Sequence, residues 1–243
     1  MINKIKNLID ENNNIIIIFA NIKFKNKILQ RIKEFKNLKI KNYIIIAIDR
    51  QLQLILNKRK INNYFYPIQI NGNYKRNGIL WIKRTYLWYL ILKNGINILH
   101  ADADAVWKKN PFKLFTNKSI SIYFTNGTIW PRNTFKVWGF TIRCGLFYVV
   151  ANKTTIDFFY NVHYYTKKFK DDQVALNTLL LQDNIKWQLN NIYYETINNK
   201  KISYSTKNIP NKYKNINIIL MSHNLFPRFK TKYINQAYVI DLL

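Results

Sequence analysis

Two aspartates stand one residue apart directly after an apolar run, in the segment "INILHADADAVW". Side chains two positions apart on an extended chain point the same way, so we expect His100, Asp102 and Asp104 to share one face at a strand end. Carboxylates so close repel each other unless a cation lies between them, and their oxygens suit Mn²⁺ or Mg²⁺ that also holds a diphosphate. The pair therefore indicates a divalent metal site that acts as a Lewis acid on a departing diphosphate. The alternative is an incidental pair of solvated carboxylates.

Strand-like and helix-like segments alternate over the first hundred residues. Short apolar runs at 14–20, 42–49, 64–68 and 96–101 predict strands, and segments 23–38, 51–59 and 79–95 predict helices. This alternation is typical of an α/β fold whose right-handed crossovers build a parallel sheet. Ligands on such sheets bind beyond the carboxyl ends of the strands, which is where Asp49, Asp102 and Asp104 fall.

The composition limits the class of protein. A chain of 243 residues with 48% hydrophobic residues fits one large α/β domain or two small ones. Its 39 Lys and Arg against 12 Asp and Glu give a net charge of +27, which attracts polyanions such as nucleic acid, anionic membranes and nucleotide phosphates. Lysine is accompanied by frequent Asn and Ile, as an AT-rich genome encodes regardless of function, so a functional and a compositional origin of the charge both stay open.

Cysteine usage and the N-terminus indicate a location. The single cysteine, Cys144, excludes an intramolecular disulfide and favours a reducing compartment. The apolar run at 15–20 is far shorter than the ~20 residues that span a bilayer, and Asp10 and Glu11 precede it instead of a basic leader. We therefore expect no signal peptide, no membrane anchor and a cytoplasmic protein, which means host cytoplasm or virion if the source is a large DNA virus.

The order helix, glycine, apolar strand, Asp-x-Asp, aromatic and proline runs through "LKNGINILHADADAVWKKNPF". This order resembles the nucleotide-diphospho-sugar transferases of the GT-A fold, and the resemblance covers roughly residues 79–228. It implies a single GT-A domain over residues 1–243, with a Rossmann-like, mostly parallel central sheet flanked by helices. Residues 1–104 would form the nucleotide-binding half and residues 105–243 the half that holds the acceptor and the donor sugar.

The resemblance also implies the metal ligands and the diphosphate contacts. Similar transferases bring a late histidine to the Asp-x-Asp metal site, and His223 follows a predicted strand at 216–221. A neutral imidazole is an acceptable Mn²⁺ ligand, whereas the alternative is a histidine that is only hydrogen-bonded. Arg228 and Lys230, or Lys232, are the diphosphate candidates. The sequence contains no Gly-rich phosphate loop, so phosphate binding must use a metal and basic side chains.

Two further segments match the donor-sugar pocket of the family. In "RCGLFYVVANKTTIDFF" we expect Gly145 to form a small-residue turn and a helix to start at Thr154. Relatives carry Asn or a small polar residue where this chain has Arg143, which would either grip phosphate or form a surface salt bridge. In "DDQVALNTLL" the resemblance implies that Asp172 and Gln173 position the sugar or stabilise positive charge at its anomeric carbon, with an N-cap as the alternative for Asp172.

The remaining candidates depend on the architecture. Relatives carry a lysine facing the nucleotide on the helix before Asp-x-Asp, which is where Lys83 and Arg84 lie, although both could be solvated charges. The residues expected around the base and the ribose are Phe19, Ala20, Asn21 and Asp49. Large aromatics such as Trp107, Trp130 and Trp138 could stack on acceptor sugars, although most residues of this kind are core. The segment "TNGTIWPRNTFKVWG" predicts a loop over the donor.

The sequence thus predicts an enzyme, a hexosyl- or pentosyltransferase that uses Mn²⁺ or Mg²⁺ and a nucleoside-diphosphate sugar, UDP-sugar favoured. The acceptor would be a hydroxyl on a glycan or glycoprotein, and the resemblance implies retention of configuration. An inverting route would need a general base, for which Asp171 or Asp172 could serve. The alternatives are a basic nucleic-acid-binding protein and an inactive glycan-binding descendant of a transferase.

Overall fold

A mixed sheet organises the residues that the computed structural model describes, which are 1–69, 78–189, 192–197, 199–228 and 234–241. In chain order the strands are β1 (Asn14–Ala20), β2 (Tyr43–Ala47), β3 (Asn63–Phe65), β4 (Asn97–Ala101), β5 (Ala105–Trp107), β6 (Ile122–Asn126), β7 (Ile142–Val149), β8 (Ile192–Ile197), β9 (Lys200–Ser205), β10 (Ile209–Tyr213), β11 (Ile216–Leu220) and β12 (Val239–Asp241). The α-helices are α1 (Ile2–Lys6), α2 (Lys25–Asn37), α3 (Arg50–Lys58), α4 (Ile79–Lys93), α5 (Arg132–Trp138), α6 (Lys153–Phe169) and α7 (Asp172–Gln182).

The central sheet has the strand order β10-β11-β6-β7-β4-β1-β2-β3. The pairs β1–β2, β1–β4, β2–β3 and β6–β11 are parallel. Strand β7 is antiparallel to β4 and β6, and β10 is antiparallel to β11. Most strands of this sheet therefore run in one direction, and the predicted mostly parallel α/β sheet is confirmed.

The order of the first strands creates a binding crevice. From β1 the chain moves outward through β2 to β3, and it then returns to add β4 on the other side of β1. Such a reversal leaves space at the carboxyl ends of the two strands that flank it, because their following segments diverge. The ends of β1 and β4 are Ala20 and Ala101, which places the Asp-x-Asp segment at this crevice.

Alternating side chains of β1 supply both layers of the core. Ile15 and Ile17 face a cluster that contains Trp88 of α4, whereas Ile16 and Ile18 face one that contains Phe35 of α2. Successive strand residues point to opposite faces, so a continuous apolar run is required where helices cover both sides. Each buried isoleucine contributes about 1.5–3 kcal/mol relative to exposure, which holds β1 rigidly between the helical layers.

Several local expectations from the sequence need correction. The third strand ends at Phe65, short of the predicted residue 68, since Pro67 has no amide hydrogen to donate to a sheet. Helix α6 begins one residue before Thr154, because the Asn152 side chain accepts from the Thr155 amide and forms a capping box. The predicted loop at 125–139 contains helix α5.

Strands from both predicted halves, 1–104 and 105–243, belong to the same central sheet. A short antiparallel pair joins β5 to β12, so the C-terminal strand returns to the segment that follows Asp-x-Asp. Strands β8 and β9 form a separate hairpin. No described helix combines the length and the apolar character needed to cross a membrane.

Candidate active site

A cavity of about 520 Å³ opens at the carboxyl ends of β1 and β4. It is lined by Phe19, Ala20, Asn21, Lys23, Phe24, Ile48, Leu80, Trp81, Arg84, Asp102, Ala103 and Asp104. The structure thus brings three nucleoside candidates and both Asp-x-Asp carboxylates to one space. A larger cavity of about 860 Å³ lies around Asn14 and Asn97, which begin β1 and β4, and so it is at the opposite end of the sheet. We assign the chemistry to the smaller cavity because open α/β sheets bind ligands at strand carboxyl ends.

Asp102 is held by its backbone and its side chain. Its amide donates to the Gly145 carbonyl at 2.8 Å, which continues the pairing of β4 with β7. Its Oδ1 accepts from Arg84 Nη1 at 3.1 Å. Desolvation alone would raise the pKa of Asp102, but His100 and the Arg84 guanidinium outweigh it and hold that pKa well below its usual range. Asp102 is therefore ionised throughout the physiological range.

Gly145 lies inside β7 and is not the turn that the sequence predicted. A Cβ atom built on Gly145 would lie 2.3 Å from Asp102 Oδ2 and 3.0 Å from its Cγ. Contacts this short do not occur in proteins, so a side chain at position 145 would displace the carboxylate. Glycine at position 145 therefore allows the Asp102 carboxylate to occupy the space that a Cβ would fill.

Asp104 lies in a turn, because β4 ends at Ala101 and the Ala105 amide donates to the Asp102 carbonyl at 3.1 Å. The strand alternation that predicted a shared face for His100, Asp102 and Asp104 therefore stops before Asp104. Its carboxylate lies 3.6 Å from Lys27 Nζ and remains on the cavity wall. Both carboxylates reach the same cavity through the turn.

Arg31 of α2 fixes this turn from behind, a role that the sequence did not suggest. The side chain is 2% exposed, and its Nη1 donates to the carbonyls of Ala105 and, at 3.4 Å, Asp104. Its Nη2 pairs with Glu34 at 2.8 Å, and the other Glu34 oxygen accepts from the Trp107 amide at 2.9 Å. The Arg31–Glu34 pair therefore holds the backbone at both ends of β5 against α2.

Arg84 connects Asp102 to the second predicted functional segment. Its Nε and Nη2 donate to Asp172 Oδ2 at 2.8 and 2.5 Å, while Nη1 binds Asp102. Burial raises the pKa of Asp172 to about 6, although Arg84 opposes the shift, since one guanidinium serves two carboxylates. We call this row Asp102–Arg84–Asp172 the charge row.

The residues on either side of Asp172 have structural partners of their own. Asp171 caps α7 by accepting from the Val174 amide at 2.8 Å, and its other oxygen accepts from Trp130 Nε1 at 3.1 Å. Gln173 Oε1 accepts from the Cys144 amide at 3.1 Å, and its Nε2 donates to the Trp130 carbonyl at 2.8 Å. The N-cap is therefore Asp171, and the alternative interpretation of Asp172 as the cap is wrong.

His223 lies apart from the carboxylate pair. Its ring stacks on Tyr204 at 3.8 Å between centroids, and burial with the charges of Arg143 and Arg228 lowers its pKa to about 3. Neither ring nitrogen has a hydrogen-bond partner among the described residues. No three His, Cys, Asp or Glu side chains in the described ranges stand close enough to hold a metal ion, so His223 is not assembled with Asp102 and Asp104 here.

The carboxylate pair nevertheless fits a divalent cation in part. Two oxygen-bearing side chains share one cavity wall, and carboxylate oxygens are the ligands that Mg²⁺ and Mn²⁺ prefer. His100 is buried, which lowers its pKa to about 4, and its Nε2 stays 3.7 Å from Asp102 Oδ1. Asp102 and Asp104 could therefore supply part of a ligand set, with a neutral imidazole nearby.

The predicted phosphate ligands occupy different environments. Arg143 is 1% exposed and donates from Nε to Thr125 Oγ1 at 3.2 Å, which excludes the alternative of a surface salt bridge. The positive charge of Arg143 lowers the pKa of both Asp102 and His223. Arg228 is partly buried and acts on His223. Lys230 and Lys232 lie outside the described residues.

The nucleoside candidates divide into cavity-lining and supporting residues. Phe19, Ala20 and Asn21 line the cavity directly. Asp49 accepts from the Leu52 amide at 2.8 Å and from the Ile22 amide at 2.7 Å, so it joins the ends of β2 and β1. It is not among the residues that line the cavity.

Helix α4 points its lysine and its arginine in different directions. Lys83 is exposed, with its ammonium 5.8 Å from the centre of the Tyr66 ring. Arg84 is 6% exposed and lines the cavity. The helical phase therefore makes Arg84 the cavity-facing residue of the two, and because this helix is apolar on all sides its sequence pattern does not distinguish them.

The three tryptophans singled out in the sequence have different surroundings. Trp107 is buried and packs edge-on against Phe35 at 4.9 Å between centroids. Trp138 donates to the Ile185 carbonyl at 3.0 Å and packs against Trp187. Trp130 alone of these three is exposed, and it lies beside Asp171 and Gln173.

Comparisons with known proteins place this site in a family. A family model described as nucleotide-diphospho-sugar transferase matches residues 38–240, which is most of the chain. No curated protein sequence matches the chain closely enough to count as a relative.

Solved structures share the fold at low sequence identity. Mouse xyloside xylosyltransferase 1 in its apo form is 8% identical over 94% of this chain and 97% of that chain, with a TM-score of 0.52. A glycosyltransferase involved in glycosylation of the major capsid of PBCV-1 is 12% identical over 93% and 91%, with a TM-score of 0.51. The galactosyltransferase LgtC, bound to donor and acceptor sugar analogs, is 14% identical over 68% and 70%, with a TM-score of 0.48.

The family model covers well over half of the chain, which shows the family to which it belongs. The chain belongs to the nucleotide-diphospho-sugar transferase family and is a glycosyltransferase of the GT-A fold.

Proposed function

We propose that the protein transfers a sugar from a nucleoside-diphosphate sugar, UDP-sugar favoured, to a hydroxyl of a glycan or glycoprotein, with Mn²⁺ or Mg²⁺ and with retention of configuration. The observation that carries this proposal is the charge row. It joins a carboxylate on the cavity wall to a buried carboxylate at the N-terminus of α7 through one guanidinium. Asp102 at one end of the row would hold the metal, Arg84 orients both carboxylates, and Asp172 at the other end would face the donor sugar.

The nucleoside would lie in the cavity at the ends of β1 and β4. Phe19 and Ala20 supply apolar walls, and Asn21 follows at the strand end. Binding there points the diphosphate toward Asp102 and Asp104. Arg228 and Lys230 are the basic residues that we propose for the diphosphate, together with Arg143, whose buried charge acts on Asp102.

Asp102 and Asp104 would hold the metal, and His223, which is not assembled with them in the described ranges, would have to approach them to become the additional ligand. Asp102 is ionised and His223 is neutral at physiological pH, so neither side chain has to lose a proton before it binds a metal. A bound divalent cation neutralises the charge that develops on the departing diphosphate. Asp102 also accepts a hydrogen bond from Arg84, so the proposed metal ligand orients the guanidinium that binds Asp172.

Asp172 would stabilise positive charge at the anomeric carbon, while Gln173 orients the donor sugar. The carboxylate is 3% exposed and is fixed by two hydrogen bonds from Arg84, so it is pre-oriented for this purpose. Retention is supported by the engagement of Asp171, whose two oxygens bind the Val174 amide and Trp130 Nε1. An inverting reaction needs a free general base, and neither acidic residue of this pair is free.

A cytoplasmic location, in the host cell or virion if the source is viral, accords with the single cysteine Cys144. We propose no specific nucleic-acid partner. Binding to nucleic acid would fall steeply with salt and would be insensitive to substitution of Asp104, which separates the two functions.

The test is a thermal-shift panel of UDP- and GDP-sugars with and without Mn²⁺, followed by hydrolysis of the donor that responds. We expect one nucleotide sugar to stabilise the protein only when the metal is present. Asp104→Ala should abolish this response, whereas Asp157→Ala, an exposed acidic residue of α6, should retain it. Stabilisation without metal, or equal responses in the two variants, would contradict the proposed metal dependence.

A further inference from the structure

Trp130 is an exposed aromatic residue that is held by one side-chain and one backbone hydrogen bond. It follows β6 and precedes α5, and it is 49% exposed. Its indole Nε1 donates to Asp171 Oδ2 at 3.1 Å, and the backbone carbonyl of Trp130 accepts from Gln173 Nε2 at 2.8 Å. Isolated exposed apolar side chains are ordinary in proteins, but a fixed orientation distinguishes this one.

Among the described residues, no aromatic ring or cation stacks on the indole of Trp130, and the residue is 49% exposed. Trp81 and Trp88 lie under the Arg84 guanidinium, and Trp107 packs against Phe35. The protein therefore presents a flat apolar surface bordered by a carboxylate and an amide.

This surface lies on the far side of the charge row from the nucleoside cavity. Asp102 and Arg84 line that cavity, whereas Asp172 is at the other end of the row and is adjacent in sequence to Asp171 and Gln173. Those two residues are the ones that bind Trp130. A donor sugar held at Asp172 would thus lie between the nucleoside and the indole.

We propose that Trp130 is the floor of the acceptor subsite and that the acceptor hydroxyl belongs to a sugar ring, not to an amino-acid side chain. This inference rests on the proposed function. A pyranose has an apolar C–H face and a polar edge of hydroxyl groups, which matches an indole face beside Asp171 and Gln173. A serine or threonine hydroxyl offers no such face.

The test uses the full chain, the donor found by thermal shift and a panel of methyl and nitrophenyl hexosides and pentosides, with Ser/Thr peptides as the second class. The ratio of transfer to donor hydrolysis is measured for each acceptor. Trp130→Ala should lower this ratio about tenfold through a higher KM for the glycoside. Trp130→Phe keeps a ring but loses the bond to Asp171, and it should restore most of the ratio. Tyr164→Ala, which removes a 55% exposed aromatic of α6, should behave as wild type.

The outcomes separate the two proposals. An unchanged ratio in Trp130→Ala, transfer to peptides but not glycosides, or hydrolysis without transfer to any glycoside would overturn the acceptor subsite and leave donor chemistry intact. If Trp130→Phe is as impaired as Trp130→Ala, the indole acts by positioning Asp171, and the platform role is refuted. A wild-type protein that turns over no nucleotide sugar would overturn the proposed function itself.

Discussion

Replacing Gly145 by alanine should displace the Asp102 carboxylate without unfolding the protein. The added Cβ would lie 2.3 Å from Asp102 Oδ2, whereas real Cβ contacts essentially never fall below 3.0 Å. The oxygen must therefore move by at least 0.7 Å. The backbones cannot easily separate to relieve the contact, because the Asp102 amide is bonded to the Gly145 carbonyl within the paired strands β4 and β7.

The expected cost falls mainly on catalysis. A displacement approaching 1 Å in a catalytic group lowers rates by about 100-fold, so kcat/KM for metal-dependent donor hydrolysis should fall about 10- to 100-fold in Gly145→Ala. The same shift would lengthen the 3.1 Å bond from Arg84 and weaken the charge row. The assay is release of the nucleoside diphosphate at several Mn²⁺ concentrations, with the thermal midpoint measured in parallel.

Two controls test whether the contact between a Cβ at position 145 and the Asp102 carboxylate causes the loss of activity. Gly95→Ala introduces a side chain at a φ of 75° with no atom within 4 Å, so it should cost about 1 kcal/mol in stability and leave turnover unchanged. In an Asp102→Ala background the obstacle is absent, and Gly145→Ala should then have no further effect on the thermal midpoint. Full activity of the single variant Gly145→Ala, or an equal stability loss in both backgrounds, would refute the steric argument.

Three further variants probe the charge row and the turn behind it. Asp172→Asn should remove the fall in kcat that we expect below about pH 6. Burial raises the pKa of Asp172 to about 6, so a lower pH protonates the carboxylate that the reaction needs. A fall that persists in the variant would show that another group titrates. Arg31→Met should lower the free energy of unfolding, measured by urea denaturation, by about 3 kcal/mol, since the carbonyls of Asp104 and Ala105 lose their buried donor. A loss of less than about 1 kcal/mol would contradict a stabilising role for Arg31. Asp104→Ala should abolish Mn²⁺-dependent hydrolysis. The thermal midpoint should stay within about 3 °C of wild type, because the ion pair of Asp104 with a half-exposed Lys27 contributes little. A larger fall in the thermal midpoint would indicate a structural role for Asp104.

The sequence predicted the elements around the cavity well because local patterns determine them. A β-branched run covered on both faces is read directly from its residues, and β1 begins and ends where the pattern does. The Asp-x-Asp pair was found from its spacing at a strand end, and the family followed from the order of residues around it. Helix caps were less accurate, since the choice between Asp171 and Asp172 depends on which carboxylate reaches the first amides of α7.

Contacts between segments that are far apart along the chain could not be predicted from the sequence. Arg84 is 88 positions from Asp172, and only the packing of α4 against the sheet and α7 brings its guanidinium between two carboxylates. Arg31 reaches the turn at Asp104 across a separation of 73 positions in the same way. Charged residues on a helix are usually solvated, so their types alone gave no reason to prefer them over the many lysines nearby.

The chain by itself determined the α/β architecture and the carboxylates that face its crevice, because apolar periodicity and strand-end position are local properties. The tertiary structure decided how those carboxylates are held. Position 145 is a glycine, and the Asp102 carboxylate lies where the Cβ of any other residue would be. Trp130 is held by Asp171 and Gln173, which belong to another segment of the chain. Such requirements arise from atoms that meet only after the sheet and helices have packed, so no pattern along the chain could express them.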